Sequence, residues 1–176
     1  MEALKEAIYT IENIYNLSEG KRAELIDGRI YYMAPPGTTH QKLVSRLNQK
    51  IANYIEMNGG NCEVFPAPFA VFLMEDDINY VEPDISIICE PSKIDEKGCH
   101  GAPDLVIEVV SESSRRMDYM IKLFKYRTAG VREYWIVDPK KQQTAVYNFE
   151  RDMMDEYPFE KEIPVGIYEN FSIRLQ

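Results

Sequence analysis

Apolar and polar positions alternate through AELI and RIYYM on either side of Asp27-Gly28, and this pattern predicts a β-hairpin closed by a two-residue turn. Upstream, Thr10 can cap a short amphipathic helix, IENIYNL, which SEG ends. Downstream of PPG, Thr38 or Thr39 can cap a helix running to about Met57. Val44, Leu47, Ile51, Tyr54 and Ile55 form its apolar side, and Gly59-Gly60 stops it. Three strands follow: CEVFP near 62–66, AVFLM near 70–74 and VEPDISIIC near 81–89. EPSKIDEKGCHGA then reads as an exposed loop. PDLVIEVVS, Pro103 to Ser111, is another strand, and from about Ser114 to Ala129 the residues Met117, Ile121, Phe124 and Thr128 recur at helical spacing before Gly130. EYWIVD and TAVYNF are further strands separated by the Asp138-Pro139 turn, and the acidic tail from Arg151 has weak strand character. Helix, strands, helix, strands predict an α/β fold built on a mixed sheet.

One residue breaks this apolar logic. Glu108 stands inside the buried run LVIEVV, where an unpaired charge costs several kcal/mol, roughly, unless it meets a cation, a hydrogen-bond donor or a metal ion. A partner at equal depth on a neighbouring strand is Asp84 of VEPDISII, and the exposed loop fits between the two. Asp104 lies four residues from Glu108 on the same strand, at least ~13 Å away in an extended chain, and can support the site from one end. Two converging carboxylates make a hard oxygen site suited to Mg²⁺ or Mn²⁺ rather than zinc. The structural reading of the same residues is that Pro83-Asp84 opens a strand and Glu108 pairs with an Arg, a Lys or a backbone N–H.

Composition narrows the classes. At 176 residues and 45% hydrophobic, the chain suits one domain with one sizeable core. No apolar run approaches the ~20 residues that span a bilayer, and MEALKEAIYT lacks the pattern of a signal peptide, so a cytoplasmic protein is expected. Cys62, Cys89 and Cys99 are odd in number and form no CxxC pair, which predicts neither a disulfide framework nor a structural zinc site. The net charge of −9 opposes generic nucleic-acid binding, so any DNA contact has to be local or metal-assisted. No GxxxxGK[ST] segment is present, which excludes P-loop hydrolysis. The tyrosines do not cluster around Asp84 or Glu108 in sequence, which disfavours a two-carboxylate glycosidase.

The helix after Glu108 carries the remaining candidates. Arg115 and Arg116 near its N-terminus oppose the macrodipole, a cost that a bound phosphate would relieve, and solvated arginines are the plain alternative. Asp118, Lys122 and Lys125 lie toward one polar side, where Asp118 and Lys122 can form an ordinary i,i+4 surface pair.

ELIDGRIYYMAPP, THQ, FPAPF, EPD, GAPDLVIEVVS, RRMDYMIKLFKYRTAGV and EYWIVDP follow one another in a way that resembles the Uma-two-type restriction-endonuclease family, a branch of the PD-(D/E)XK nuclease superfamily. The resemblance covers residues ~20 to 150. It implies a restriction-endonuclease-like core, a mixed β-sheet flanked by helices, with an N-terminal helix and hairpin over 1–37, a nuclease core over 38–150 and a strand-like tail over 151–176. Asp84 and Glu108 match the acidic positions of the motif. They would hold Mg²⁺ or Mn²⁺ together with the backbone carbonyl of Val109. The motif asks for a lysine two residues after the glutamate, where this chain has Val110. The family resemblance puts that lysine on the following helix at Lys122, with Lys125 in reserve because the helical wheel alone does not choose between them. Glu24, His40 and Asp118 would support the metal or substrate, and Arg115 and Arg116 would contact DNA. The implied activity is metal-dependent DNA cleavage, by a homodimer if both strands are cut. A nucleic-acid-binding or protein-interaction module on a degenerate nuclease core is the alternative.

Overall fold

The computed structural model describes residues 7–176, so residues 1–6, part of the stretch read as lacking a signal peptide, lie outside the described residues. Helix α1 spans Ile11–Tyr15, and Asn13 Oδ1 accepts the Thr10 N–H at 2.8 Å, closing the first turn. Strands β1 (Ala23–Ile26) and β2 (Arg29–Tyr32) form the hairpin expected from Asp27-Gly28. Both turn residues have positive φ, 51° and 71°, which matches the twist of the flanking strands. Helix α2 spans Thr38–Asn58. Gly37 rather than Thr38 or Thr39 is its N-cap, since Gly37 is extended and its carbonyl accepts the first intrahelical bond from Gln41. Gly59 ends the helix in the left-handed region.

Strands β3 (Glu63–Pro66), β4 (Val71–Phe72) and β5 (Ile85–Ile88) follow. The segment expected to be an exposed loop instead holds the 3-10 turn Pro91–Lys93 and strands β6 (Ile94–Asp95) and β7 (Gly98–His100). β7 pairs with both β4 and β6, which buries Cys99; the polar composition hid a hairpin whose inner residues are Gly98 and Cys99. Strand β8 (Leu105–Val109) leads through a π-helical stretch, Met117–Lys122, into α3 (Leu123–Ala129) and then β9 (Glu133–Asp138) and β10 (Gln143–Asn148). The tail is more ordered than its composition suggests. It supplies the edge strand β11 (Met153–Pro158) and a two-stranded ribbon, β12 (Ile163–Pro164) with β13 (Ser172–Ile173).

The main sheet has the order β11-β10-β9-β8-β5-β3, with β8 and β9 parallel and the other neighbours antiparallel. Alternation along β8 divides the core. Leu105, Ile107 and Val109 face Leu43, Leu47 and Ile51 of α2 and the tail residues Phe159, Ile163 and Leu175. Val106 and Val110 face Tyr126 of α3, with Val71, Leu73 and Cys99. Each fully buried aliphatic side chain contributes roughly 1.5–3 kcal/mol, so these contacts dock α2 on one face and α3 on the other. Glu108 points to the α3 face.

The expectation of no disulfide is corrected: Cys62 and Cys89 are bonded. The β3–β5 register pairs Glu63 with Ile88 and, one step further, brings Cys62 opposite Cys89. Cysteine counting carries no information about that register.

Candidate active site

The β5–β8 register sets the geometry. Ile85 lies opposite Ile107, and continuing one residue places Asp84 opposite Glu108 at the edge where the N-terminus of α2 and the π-helical stretch converge. Asp84 Oδ2 accepts the Val109 N–H at 2.7 Å and lies 3.0 Å from His40 Nε2. The Asp84 N–H approaches Glu108 Oε2 at 3.4 Å. Glu108 Oε1 accepts from Lys122 Nζ at 2.8 Å and from the Tyr126 hydroxyl at 2.8 Å. The same ammonium is 2.8 Å from Glu24 Oε2, and Asp118 Oδ1 is 4.0 Å away. Glu24 is itself held by the Glu82 N–H at 3.1 Å.

The polar side of the π-helical stretch and α3 therefore faces inward. Asp118, Lys122, Lys125 and Tyr126 are buried, whereas Met120 and Phe124, 61% and 66% exposed, face solvent. Of the Met117, Ile121, Phe124, Thr128 spacing, Met117 and Ile121 pack against the core as expected, but Phe124 and Thr128 are exposed and the side expected to be polar surface is buried beside them. The reason is energetic: ion pairs and hydrogen bonds among Glu24, Glu108, Asp118 and Lys122 replace apolar contacts, and no side chain of the group could be buried alone. The widened π turns present Asp118 and Lys122 together, a use of π-helical geometry common at functional sites.

Crowded carboxylates shift one another. Burial pushes the Glu108 carboxyl well above the usual range; the Lys122 charge opposes this, and Asp84, Asp118 and Glu24 add to it. Burial, opposed by Lys122 and a Ser114 hydrogen bond, raises Asp118 to about 6. Burial lowers the Lys122 ammonium, but the charges of Glu108, Glu24 and Asp118 outweigh it and leave the pKa raised. Burial likewise opposes protonation of His40, and the hydrogen bond and charge of Asp84 overcome it.

The oxygens present fit a hard divalent cation. Asp84 uses Oδ2 for its hydrogen bonds and Glu108 Oε2 has only the long contact from the Asp84 N–H, so each carboxylate keeps an oxygen available. Among the described residues no three His, Cys, Asp or Glu side chains form a ready metal cage. Two carboxylates that leave the remaining positions to water and phosphate suit Mg²⁺, which sheds water reluctantly.

Other sequence candidates are placed differently. Lys125 pairs with Asp27 in the hairpin turn, outside the cluster. Arg115 makes a two-pronged pair with Asp138, at 2.6 and 3.1 Å, while Arg116 is exposed. Asp104 does not support the cluster; it lies beyond the far end of β8, where it accepts from the Cys89 N–H and Arg132 at 2.7 and 3.1 Å. Sequence reasoning missed Tyr126 and Glu82. Tyr126 sits four residues after Lys122 and is legible as its helical neighbour once Lys122 is known to face inward. Glu82, which also receives the Tyr80 hydroxyl at 2.7 Å and pairs with Arg22, gives no such signal.

A mixed sheet with α2 and α3 on its two faces, and paired acids met by a helix-borne lysine at one edge, defines a restriction-endonuclease-like fold. The chain belongs to the Uma2 family, described as "Putative restriction endonuclease", whose pattern matches residues 9–172. It is 26% identical over 129 residues to an uncharacterized protein from Synechocystis. That match covers 73% of this chain and 66% of the relative, slightly under two thirds of its length. The crystal structure of "a putative nuclease belonging to DUF820" from Anabaena variabilis has the same fold, with a TM-score of 0.76 at 20% identity over 94% of each chain.

Proposed function

We propose that this protein is a metal-dependent DNA endonuclease of PD-(D/E)XK type that hydrolyses phosphodiester bonds with Asp84, Glu108 and Lys122. The observation that carries the reading is the position of Lys122 Nζ, 2.8 Å from Glu108 Oε1, in place of the lysine that the motif expects at Val110. Asp84, Glu108 and the Val109 carbonyl would hold Mg²⁺ or Mn²⁺, which polarises a scissile phosphate and lowers the pKa of a bound water. Lys122 orients the attacking water or stabilises the added negative charge on the phosphate. Glu24 fixes Lys122 from the side opposite Glu108, Tyr126 fixes Glu108, and His40 holds Asp84. Asp118 adds negative charge beneath Lys122 and keeps it protonated. Cutting both strands needs two such sites, so a homodimer is part of this reading, as is a cytoplasmic location beside DNA.

A nuclease-fold binding module without catalysis is the second reading. It is favoured by the closure of Lys122 between Glu24 and Glu108, with 5% of the residue exposed. Calorimetry separates the two. The endonuclease reading expects Mg²⁺ or Mn²⁺ to bind the native chain and not the Asp84→Asn variant; equal heats from both would remove the metal site.

A further inference from the structure

Acidic residues are spread through this chain except in one place. Residues 28–55 contain no Asp or Glu, although the protein has 29 of them and a net charge of −9. The run covers β2, the PPG loop and all but the last turn of α2. It passes directly beside the candidate site, because His40 in the first turn of α2 is 3.0 Å from Asp84.

Within that run α2 presents Lys42, Arg46 and Lys50 at i, i+4 and i+8. All three are exposed, and each stands one position before a buried residue, Leu43, Leu47 or Ile51, so the stripe flanks the buried side of the helix. Successive cations are ~6 Å apart along the axis, so the stripe leads away from the site for about two turns. Arg46 donates to the Leu175 carbonyl at 2.7 Å, which anchors its side chain and leaves its charge uncompensated. Lys42 and Lys50 form no ion pair among the described residues, unlike Arg115, Lys122 and Lys125, which are each committed to a carboxylate. A solvated lysine face is ordinary; one cleared of every acid over 28 residues in an acidic protein, beside paired catalytic-type carboxylates, is an electrostatic path.

We infer that the exposed face of α2, centred on Lys42, Arg46 and Lys50, is the surface that binds the sugar-phosphate backbone of duplex DNA next to the Asp84–Glu108 site. The inference deepens the nuclease reading by naming where the substrate lies, and it rests on DNA being the ligand but not on cleavage. Phosphate contacts of this kind position the duplex without reading its sequence. They also reconcile the negative net charge with DNA binding, since the contact is local to a run of the chain that carries no acid.

The test is fluorescence anisotropy of a labelled 30-base-pair duplex in EDTA, as a function of salt, with Mg²⁺ calorimetry run in parallel without DNA. Lys42→Gln with Lys50→Gln should lower the slope of log affinity against log salt by ~1.8, so that its affinity falls about tenfold less than wild type between 50 and 200 mM salt. Lys97→Gln with Arg151→Gln makes the same change in net charge outside the run and should leave the slope unaltered. Equal slopes for wild type and the α2 pair, an equal effect of the control pair, or no duplex binding by wild type at 50 mM salt would overturn the inference. Loss of Mg²⁺ binding in the calorimetry with the α2 slope change intact would sink catalysis and leave this surface standing.

Discussion

Lys122 Nζ stands 2.8 Å from Glu108 Oε1, and it reaches that point from a helix fourteen residues later in the chain rather than from the strand position two residues after the glutamate. That strand position is Val110, which is buried among apolar residues on the same face as Glu108 and cannot take a charge without a partner. The lysine's approach from the helix lets Glu24 clamp it from the other side.

Lys122→Ala is therefore expected to lower single-turnover cleavage ~100-fold or more, and Lys125→Ala far less, because Lys125 serves the hairpin turn. Lys122→Ala also strands three buried carboxylates, and a loss on the order of 3–5 kcal/mol in denaturant melts at pH 8 should accompany it. A plasmid-nicking assay with Mn²⁺ on protein shown to be folded reads the first effect. A larger loss for Lys125→Ala than for Lys122→Ala would return the choice to Lys125.

Asp118 gives the site a pH signature. Its carboxyl is raised by burial to about 6, so between pH ~4 and 6 the folded state binds protons that the unfolded state has released. This group then makes stability fall as pH rises through that window. Asp118→Asn removes the effect, and the variant should gain on the order of 1–3 kcal/mol over wild type at pH 8 and nothing at pH 4. Paired urea melts across pH 4–8 check it, and a difference independent of pH would contradict the account.

The two arginines expected to meet DNA should separate. Asp138 is buried and its pKa is lowered: burial opposes ionisation, and the Arg115 hydrogen bond with the Lys141 and Lys140 N–H groups overcomes this. The pairing therefore stabilises the fold above pH ~4 and is lost as pH falls through the depressed pKa. Arg115→Ala should cost on the order of 1 kcal/mol at pH 7, because the arginine is partly solvated and Asp138 keeps two N–H donors. Arg116→Ala should leave the melting temperature unchanged and reduce only the salt slope of DNA binding. Equal stability effects would mean that the Asp138 pair contributes nothing.

Sequence alone determined the elements whose signals are local. The Asp27-Gly28 turn, the length of α2 and the EYWIVD strand follow from turn chemistry and from periodicity, and the cost of a lone carboxylate in an apolar strand marked Glu108 as needing a partner, with Asp84 one candidate and a lysine another. Tertiary structure decided what depends on residues far apart. Which side of the helix after β8 faces inward could not be read from its apolar spacing, because Lys122 is buried by Glu24, 98 residues away, and ion pairs there outweigh the apolar positions. The Cys62–Cys89 bond depends on the β3–β5 register, the burial of Cys99 on pairing of β7 with β4, and the order of the acidic tail on the sheet edge offered by β10. In each case the deciding energy lies in a contact between distant segments, and a local pattern of hydrophobic and polar residues does not encode that contact.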